Sequence, residues 1–278
     1  MMIIFILLII IALLAMTLIA MRERYVHLKE SIERGKMSMY GKLRDSEEDK
    51  TRLKRQLTQN VAHELKTPVS SIQGYLETIV SSPDLDSKTK DQFIQRCYAQ
   101  SRRLSSLLAD ISTLNKLDDA PQGYEFVNVN IPDLLQAIQR DVSMQMEAKH
   151  VTFRALVEPD VVVNGNPSLL YSIFRNLTDN SIAYGGEGVT VTVQILSSDS
   201  SYYTFSFSDN GPGVSPEHIP HLFERFYRVD KGRSRKMGGT GLGLAIVKNS
   251  VLLHRGAISV RLGAAGGLEF IFTLPKAV

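Results

Sequence analysis

Residues 53–80 read LKRQLTQNVAHELKTPVSSIQGYLETIV, and this stretch decides the architecture. Leu53, Leu57, Val61 and Leu65 recur at every fourth position, the stripe of one helix face. Pro68 would ordinarily stop or kink a helix, yet Ile72, Tyr75, Leu76, Ile79 and Val80 carry the helical period past it. Ser81-Ser82-Pro83-Asp84 breaks the pattern. A second helix follows, with Ile94, Cys97, Ser101, Leu104, Leu108 and Ile111 at alternating spacings of three and four, an a/d seam. Two long helices joined by a short turn predict an antiparallel hairpin. Such a hairpin is too thin to bury both faces, so two copies are expected to pair as a four-helix bundle in a homodimer.

Upstream, residues 1–21 carry no charge, and at 1.5 Å per residue they reach about 30 Å, the thickness of a bilayer's hydrocarbon layer. Arg22 and Arg24 follow at once, so the positive-inside rule places everything beyond them in the cytoplasm. A cleaved signal peptide fits poorly, because the run has no basic flank before it and no convincing small-residue cleavage site. Residues 1–21 are therefore expected to be a transmembrane helix with nothing outside to read a ligand, and 22–49 a charged, helical juxtamembrane linker. Downstream, Asp118-Asp119-Ala120-Pro121-Gln122-Gly123 reads as a second linker. Beyond it β-rich runs fall at 125–129, 151–157, 161–163, 188–196, 202–208, 257–262 and 268–274. Helical patterns fall at 132–148, 167–184 and 242–254. Strands outnumber helices without regular alternation, which predicts a layered α+β domain and not a doubly wound one.

Composition narrows the function. With 44% apolar residues the 278-residue chain can build packed cores, so a disordered chain is excluded. A lone Cys97 excludes a disulfide scaffold and a cysteine-rich zinc fold. A formal charge of +3 is too small to point to nucleic acid.

Four features carry chemistry. On the first helix, the apolar positions 57, 61 and 65 turn His63 toward solvent, where an imidazole offers a nucleophilic nitrogen beside the carboxylate of Glu64. The alternating strand Tyr203–Ser208 runs into Asp209-Asn210-Gly211-Pro212-Gly213, a carboxylate at a strand end beside glycines that admit a ligand edge. Gly238-Gly239-Thr240-Gly241-Leu242-Gly243-Leu244 opens a helix whose free amides make an anion site. It is neither a dinucleotide fingerprint nor a Walker A loop, because no strand precedes it and no Gly-Lys-Ser/Thr ends it. Asn176 and Asn180 share one helix face, and an amide oxygen suits Mg²⁺ whose other ligands are phosphate and water. His218 and His221, three apart, lack the companions of a metal site. His254 is expected to serve the C-terminal dipole of the last helix.

In this order the segments resemble the boxes of bacterial sensor histidine kinases: an H box around His63, an N box at 176–184 and a first glycine box at Asp209–Gly213. Leu222-Phe223-Glu224-Arg225-Phe226-Tyr227-Arg228 resembles the F box, and Gly239–Gly243 the second glycine box. The resemblance runs from about residue 50 to the C-terminus. It implies a dimerisation and histidine phosphotransfer hairpin at 50–118 and, at 124–278, an α+β two-layer sandwich of the Bergerat type shared with gyrase and Hsp90 chaperones, which binds ATP with Mg²⁺. It further implies that His63 is the phosphoacceptor, Glu64 its base and Thr67 the residue that orients water for dephosphorylating a partner. Asn180 would hold Mg²⁺ and Asn176 support the phosphates, with Tyr184 near the adenine. Asp209 would accept the adenine amino group in a pocket shaped by Gly211 and Gly213. Arg228 is implied for the γ-phosphate, 214–238 for a mobile lid, and Gly239, Thr240, Gly241, Leu242 and Gly243 for its closing amides.

The implied partners are a second copy, an aspartate-bearing response regulator, the bilayer and a membrane-protein sensor, at the bacterial inner membrane and without nucleic acid. Two departures stand out. Ala183 replaces a basic residue common before the N-box tyrosine, for which Lys231–Lys236 are expected to compensate, and no external sensor or HAMP module fits before the hairpin. Ala183 keeps open a second reading, a membrane-tethered nucleotide-binding scaffold without kinase turnover. An Hsp90-like ATPase is disfavoured, having no use for an exposed histidine hairpin.

Overall fold

The computed structural model describes residues 58–119, 123–230 and 239–277, and residues 62–278 form one compact unit. The membrane helix expected at 1–21, the linker at 22–49 and the basic stretch 231–236 lie outside the described residues. Among the described residues no helix is long and apolar enough to cross a membrane.

The hairpin forms as expected. Helix α1 is described from residue 58 to 81 and α2 spans Ser87–Asp119. Pro68 neither ends nor breaks α1. It is buried on the helix, and the adjacent turns are tied by Thr67 Oγ1 donating to the His63 carbonyl at 3.3 Å and Ser71 Oγ to the Thr67 carbonyl at 3.0 Å. Between the helices, Ser82 bonds back to Thr78, and Asp86 accepts the Thr89 amide at 2.9 Å, a cap for α2. Thr89 holds the Asp86 carboxyl below the usual range. Across the hairpin, Tyr75 meets Phe93 with ring centroids 5.3 Å apart. The a/d seam is only partly covered within one chain: Ile94 and Leu108 are exposed, whereas Leu107, Leu114 and Leu117 are buried. Leu107 and Leu114 lie off the sequence-derived seam because they meet the second domain.

That domain begins with a two-stranded ribbon, β1 (Val127–Asn130) antiparallel to β3 (Val162–Gly165). The main sheet holds β2 (Thr152–Leu156), β4 (Thr190–Ser198), β5 (Tyr202–Asp209), β6 (Ile258–Leu262) and β7 (Leu268–Pro275) in the order β2-β4-β5-β7-β6, with only β2 and β4 parallel. Every strand run expected from the sequence forms. The helical run at 132–148 divides at Val142 into α3 (Ile131–Asp141) and α4 (Ser143–Ala148). Helices α5 (Pro167–Tyr184) and α6 (Gly243–Leu253) complete the layer. Asn130 and Asn166 accept from the amides of Asp133 and Leu169 at 2.9 and 3.1 Å, and a proline in each first turn gives up an N–H that would have had no partner. One sheet face, through Val191, Val193, Phe205, Phe207, Phe270, Phe272 and Leu274, packs on Ile138, Ile173, Phe174, Leu177, Val247 and Val251 of the helices. The period-2 alternation legible in β5 is the physical mark of that one-sided core.

His254 does not serve as a cation at the end of α6. It is buried, its Nδ1–H donating to the Ser250 carbonyl at 2.6 Å and its Nε2 accepting from the Asn166 amide at 3.0 Å. Desolvation pushes its basicity below the ordinary histidine range. Above about pH 6.5 the ring is neutral in folded and unfolded chains alike, so its bonds count in full. As pH falls through that value the unfolded chain takes up the proton first, and folded stability declines. Melting temperature measured between pH 7.5 and 5 should therefore drop, and His254→Gln should be less stable at pH 7.5 but show a flatter pH dependence. An equally steep dependence in that variant would assign the acid sensitivity elsewhere.

Candidate functional site

Helix α5 carries the polar stripe. Asn176 Nδ2 donates to the Ser172 carbonyl at 2.8 Å and to Ser172 Oγ at 3.0 Å, which leaves Oδ1 against the start of α6. A Cβ on Gly243 would lie 2.6 Å from that oxygen, so glycine there is what lets the two helices bring an amide oxygen to the glycine-rich turn. One turn on, Asn180 is half-buried and its carboxamide meets no partner among the described residues. Tyr184 is exposed at the end of the helix. Lys149 donates to the carbonyls of Ile182 and Ala183 at 2.6 and 3.5 Å, a cation at the C-terminal end of α5. That ammonium is occupied by helix carbonyls and does not replace the basic residue missing at 183.

Asp209 ends β5 beside α5. Its Oδ1 accepts the Gly211 amide at 3.0 Å and its Oδ2 accepts Ser181 Oγ at 3.0 Å. Gly211 packs on Gly185, and Gly213 faces Gly267 in the turn between β6 and β7. Gly267 has a φ of +66°, and a Cβ there would fall 2.3 Å from Asp209 Oδ1. Sequence reasoning missed Ser181 and Gly267. Gly266-Gly267 reads locally as a plain turn, and only the pairing of β5 with β7 sets it against Asp209.

The second cluster joins the two domains. Leu107 and Leu114 of α2 bury Leu242, Ala245 and Ile246, with Leu65, Ile111 and Phe226 packed around them. Leu242, whose amide was expected to face a ligand, has a fully buried side chain and donates that amide to Thr240 Oγ1 at 3.2 Å. Thr240 in turn donates its hydroxyl to Asp110 Oδ2 at 2.7 Å, and burial pushes the Asp110 carboxyl above the usual range despite that bond. Phe226 has a φ of 64°, an outlier for a bulky residue, held by its amide donating to the Gly241 carbonyl at 2.7 Å. Arg228 Nη2 donates to the Gly239 carbonyl at 2.8 Å and to Glu64 Oε2 at 3.1 Å, and Arg103 Nη2 reaches the same carboxylate oxygen at 3.1 Å. The Arg228 side chain is 5% exposed, and its Nε is buried with no hydrogen-bond partner. Arg225 makes paired bonds to Asp118 at 2.8 and 2.9 Å.

His63 stands exposed in an open groove with Lys66, Thr67, Ser70 and Ser71, while Glu64 engages the two arginines. The expectation of a lid beginning at 214 needs correction. Residues Pro216–His221 form a 3₁₀ helix, Leu222 is buried, and Phe223 packs on Phe270 with centroids 6.2 Å apart. His218 bonds Tyr227 Oη at 2.7 Å and His221 bonds Glu224 at 2.6 Å, so both serve this packing. Among the described residues no group of three or more His, Cys, Asp or Glu is arranged for a metal.

Residues 53–120 match the His Kinase A (phospho-acceptor) domain, and residues 165–278 match the histidine kinase-, DNA gyrase B-, and HSP90-like ATPase. The phosphate regulon sensor protein PhoR of Haemophilus influenzae is 34% identical over 218 residues, covering 78% of this chain and 50% of PhoR. Full-length ShkA, solved in complex with AMPPNP, is 25% identical with a TM-score of 0.58 over 81% of this chain and 46% of that one. ThkA in complex with the response regulator TrrA shares the fold, with a TM-score of 0.62 at 19% identity over 80% of this chain and 61% of that one. A phosphoacceptor hairpin joined to an ATPase layer of this kind places the chain in the sensor histidine kinases of two-component systems, and it belongs to that family. The chain spans about half the length of the curated relatives it matches.

Proposed function

We propose that this chain is an ATP-dependent protein-histidine kinase that phosphorylates itself on His63 and passes the phosphoryl group to an aspartate of a response regulator. One observation carries the reading: a solvent-exposed imidazole on α1 shares a compact unit with an amide–carboxylate cluster built against a glycine-rich helix start. The residues fit a nucleotide. Asp209 offers an acceptor to the adenine amine between Gly211 and Gly213, with Tyr184 at the pocket's edge. The buried, unpartnered Arg228 Nε lies beside Gly241 and suits a γ-phosphate oxygen. Asn176 and the amides of Gly239, Thr240, Gly241 and Gly243 would support the remaining phosphates, and Asn180 would hold Mg²⁺, which would offset charge on the phosphoryl oxygens.

In the transfer, a lone pair on a His63 ring nitrogen forms the N–P bond as the bond from the γ-phosphorus to the ADP oxygen breaks. The proton on the imidazole's other nitrogen passes toward Glu64. The energy-rich N–P bond then breaks on attack by a regulator carboxylate, and Thr67 orients water when the regulator is dephosphorylated. Residues 50–118 serve as the phosphotransfer domain and 124–278 as the nucleotide domain. Two copies pair through the half-covered seam of the hairpin. Residues 1–21 anchor the chain in the bacterial inner membrane, with 22–49 as linker, the domains in the cytoplasm and a membrane protein supplying the signal.

Incubation of the full chain with γ-labelled ATP and Mg²⁺ should give acid-labile, alkali-stable label. Asn180→Ala should cut that labelling at least about tenfold, through loss of a metal ligand. Acid-stable label, or none from a chain that binds ATP, would refute the assignment.

A further inference from the structure

Ser181 has no part in the roles assigned so far, yet it is buried and its hydroxyl is directed at the one carboxylate that meets the base. We propose that Ser181 is a positioning residue for purine recognition, holding the Asp209 carboxylate as an acceptor for a 6-amino group. The inference rests on the reading of Asp209 given above. A terminal carboxylate torsion is broad and two-fold, so Asp209 on its own would present its oxygens in many orientations. Here the two oxygens are held separately, Oδ1 by the Gly211 amide and Oδ2 by Ser181 Oγ, each at 3.0 Å. Gly267 closes off the Oδ1 side, because its backbone approaches that oxygen too closely for any side chain. The acceptor left to a ligand is therefore the second lone pair of Oδ2.

The placement also sets a chemical preference. A serine hydroxyl has one proton, and this one is given to Oδ2, so neither residue has a hydrogen to donate to a purine. An amine at the purine 6-position completes the arrangement, whereas a 6-oxo group sets oxygen against carboxylate. Position 181 achieves this because α5 turns it inward beside β5, one residue after Asn180, so the same helix turn serves the base end and the metal end of the nucleotide.

The test is equilibrium titration of the full chain and Ser181→Ala with Mg²⁺-ATP and with the triphosphate of purine riboside, which carries hydrogen where ATP carries the 6-amino group. The wild-type chain should prefer ATP. Ser181→Ala, which keeps the helix and its packing, should weaken ATP by about tenfold, as expected for one hydrogen bond to a charged group. It should leave the amine-free nucleotide unchanged, because coupling between two partners vanishes when one is absent. A merely structural role would weaken both ligands alike. If the wild-type chain binds both nucleotides equally, the reading of Asp209 fails and this proposal falls with it. If the wild-type chain discriminates but Ser181→Ala weakens both nucleotides equally, or neither, the positioning role alone is wrong.

Discussion

His63→Gln is expected to abolish phosphohistidine formation, a loss of at least about a thousandfold, the scale seen when a reacting nucleophile is removed. The ring stands exposed on α1, so the substitution removes no buried contact and should change stability by no more than about 0.5 kcal/mol. Glutamine keeps polarity and approximate size but replaces a basic ring nitrogen with an amide that has no nucleophilic lone pair. The cluster proposed for nucleotide around Asp209 and Asn180 contains no atom of His63, so ATP affinity should be retained. The two readouts together separate a lost acceptor from a damaged ATPase layer. Label of equal intensity in the variant would move the acceptor to another residue.

Leu114→Asp should have the second largest effect. Leu114 is buried where α2 receives Leu242 and Ile246, and a carboxylate there has no partner among those apolar side chains. Burying an unpaired charge costs several kcal/mol, more than a modest contact between domains withstands, so the cluster should open. With it go the grips of Arg228 on Glu64, of Thr240 on Asp110 and of Arg225 on Asp118. In the docked arrangement the Glu64 carboxylate oxygen that would take a proton is already held by two guanidinium groups. Undocking removes the Arg228 grip on that carboxylate, leaving Arg103 of the same hairpin, and releases Arg228 for the phosphate role proposed above. The initial rate of His63 phosphorylation should rise by about tenfold, the shift that about 1.4 kcal/mol of released docking energy allows. Scattering or protease sensitivity around residues 120–123 should report the separation of the domains. An unchanged rate with the domains demonstrably apart would show that docking does not restrain transfer, and a slower rate that docking favours it.

The hairpin and the sheet were legible because their signals are local. A four-residue stripe, a Ser-Ser-Pro-Asp break and alternating aromatics in β5 each follow from the geometry of one element. Pro68 did not interrupt the reading, because the helical period continues past it and a proline removes only one bond, which a long, packed helix tolerates. The division at Val142 was illegible because the apolar period continues through it. The roles of His254 and Ser181 could not be extracted from neighbours in sequence. Each depends on a partner far along the chain, Asn166 for one and Asp209 for the other. The order within 216–228 was illegible because its residues are loop-like and its packing comes from Phe270 and Asp118.

The order of chemical groups along the chain, and the helical or extended state of each segment, could be deduced from residue types and spacing, since periodicity and capping act over a few residues. Which carboxylate faces which arginine, which α2 leucines are buried, and that Ser181 bonds the Asp209 carboxylate were settled by packing between distant segments. Such contacts depend on strand pairing and on the way two domains meet, and no local pattern encodes either.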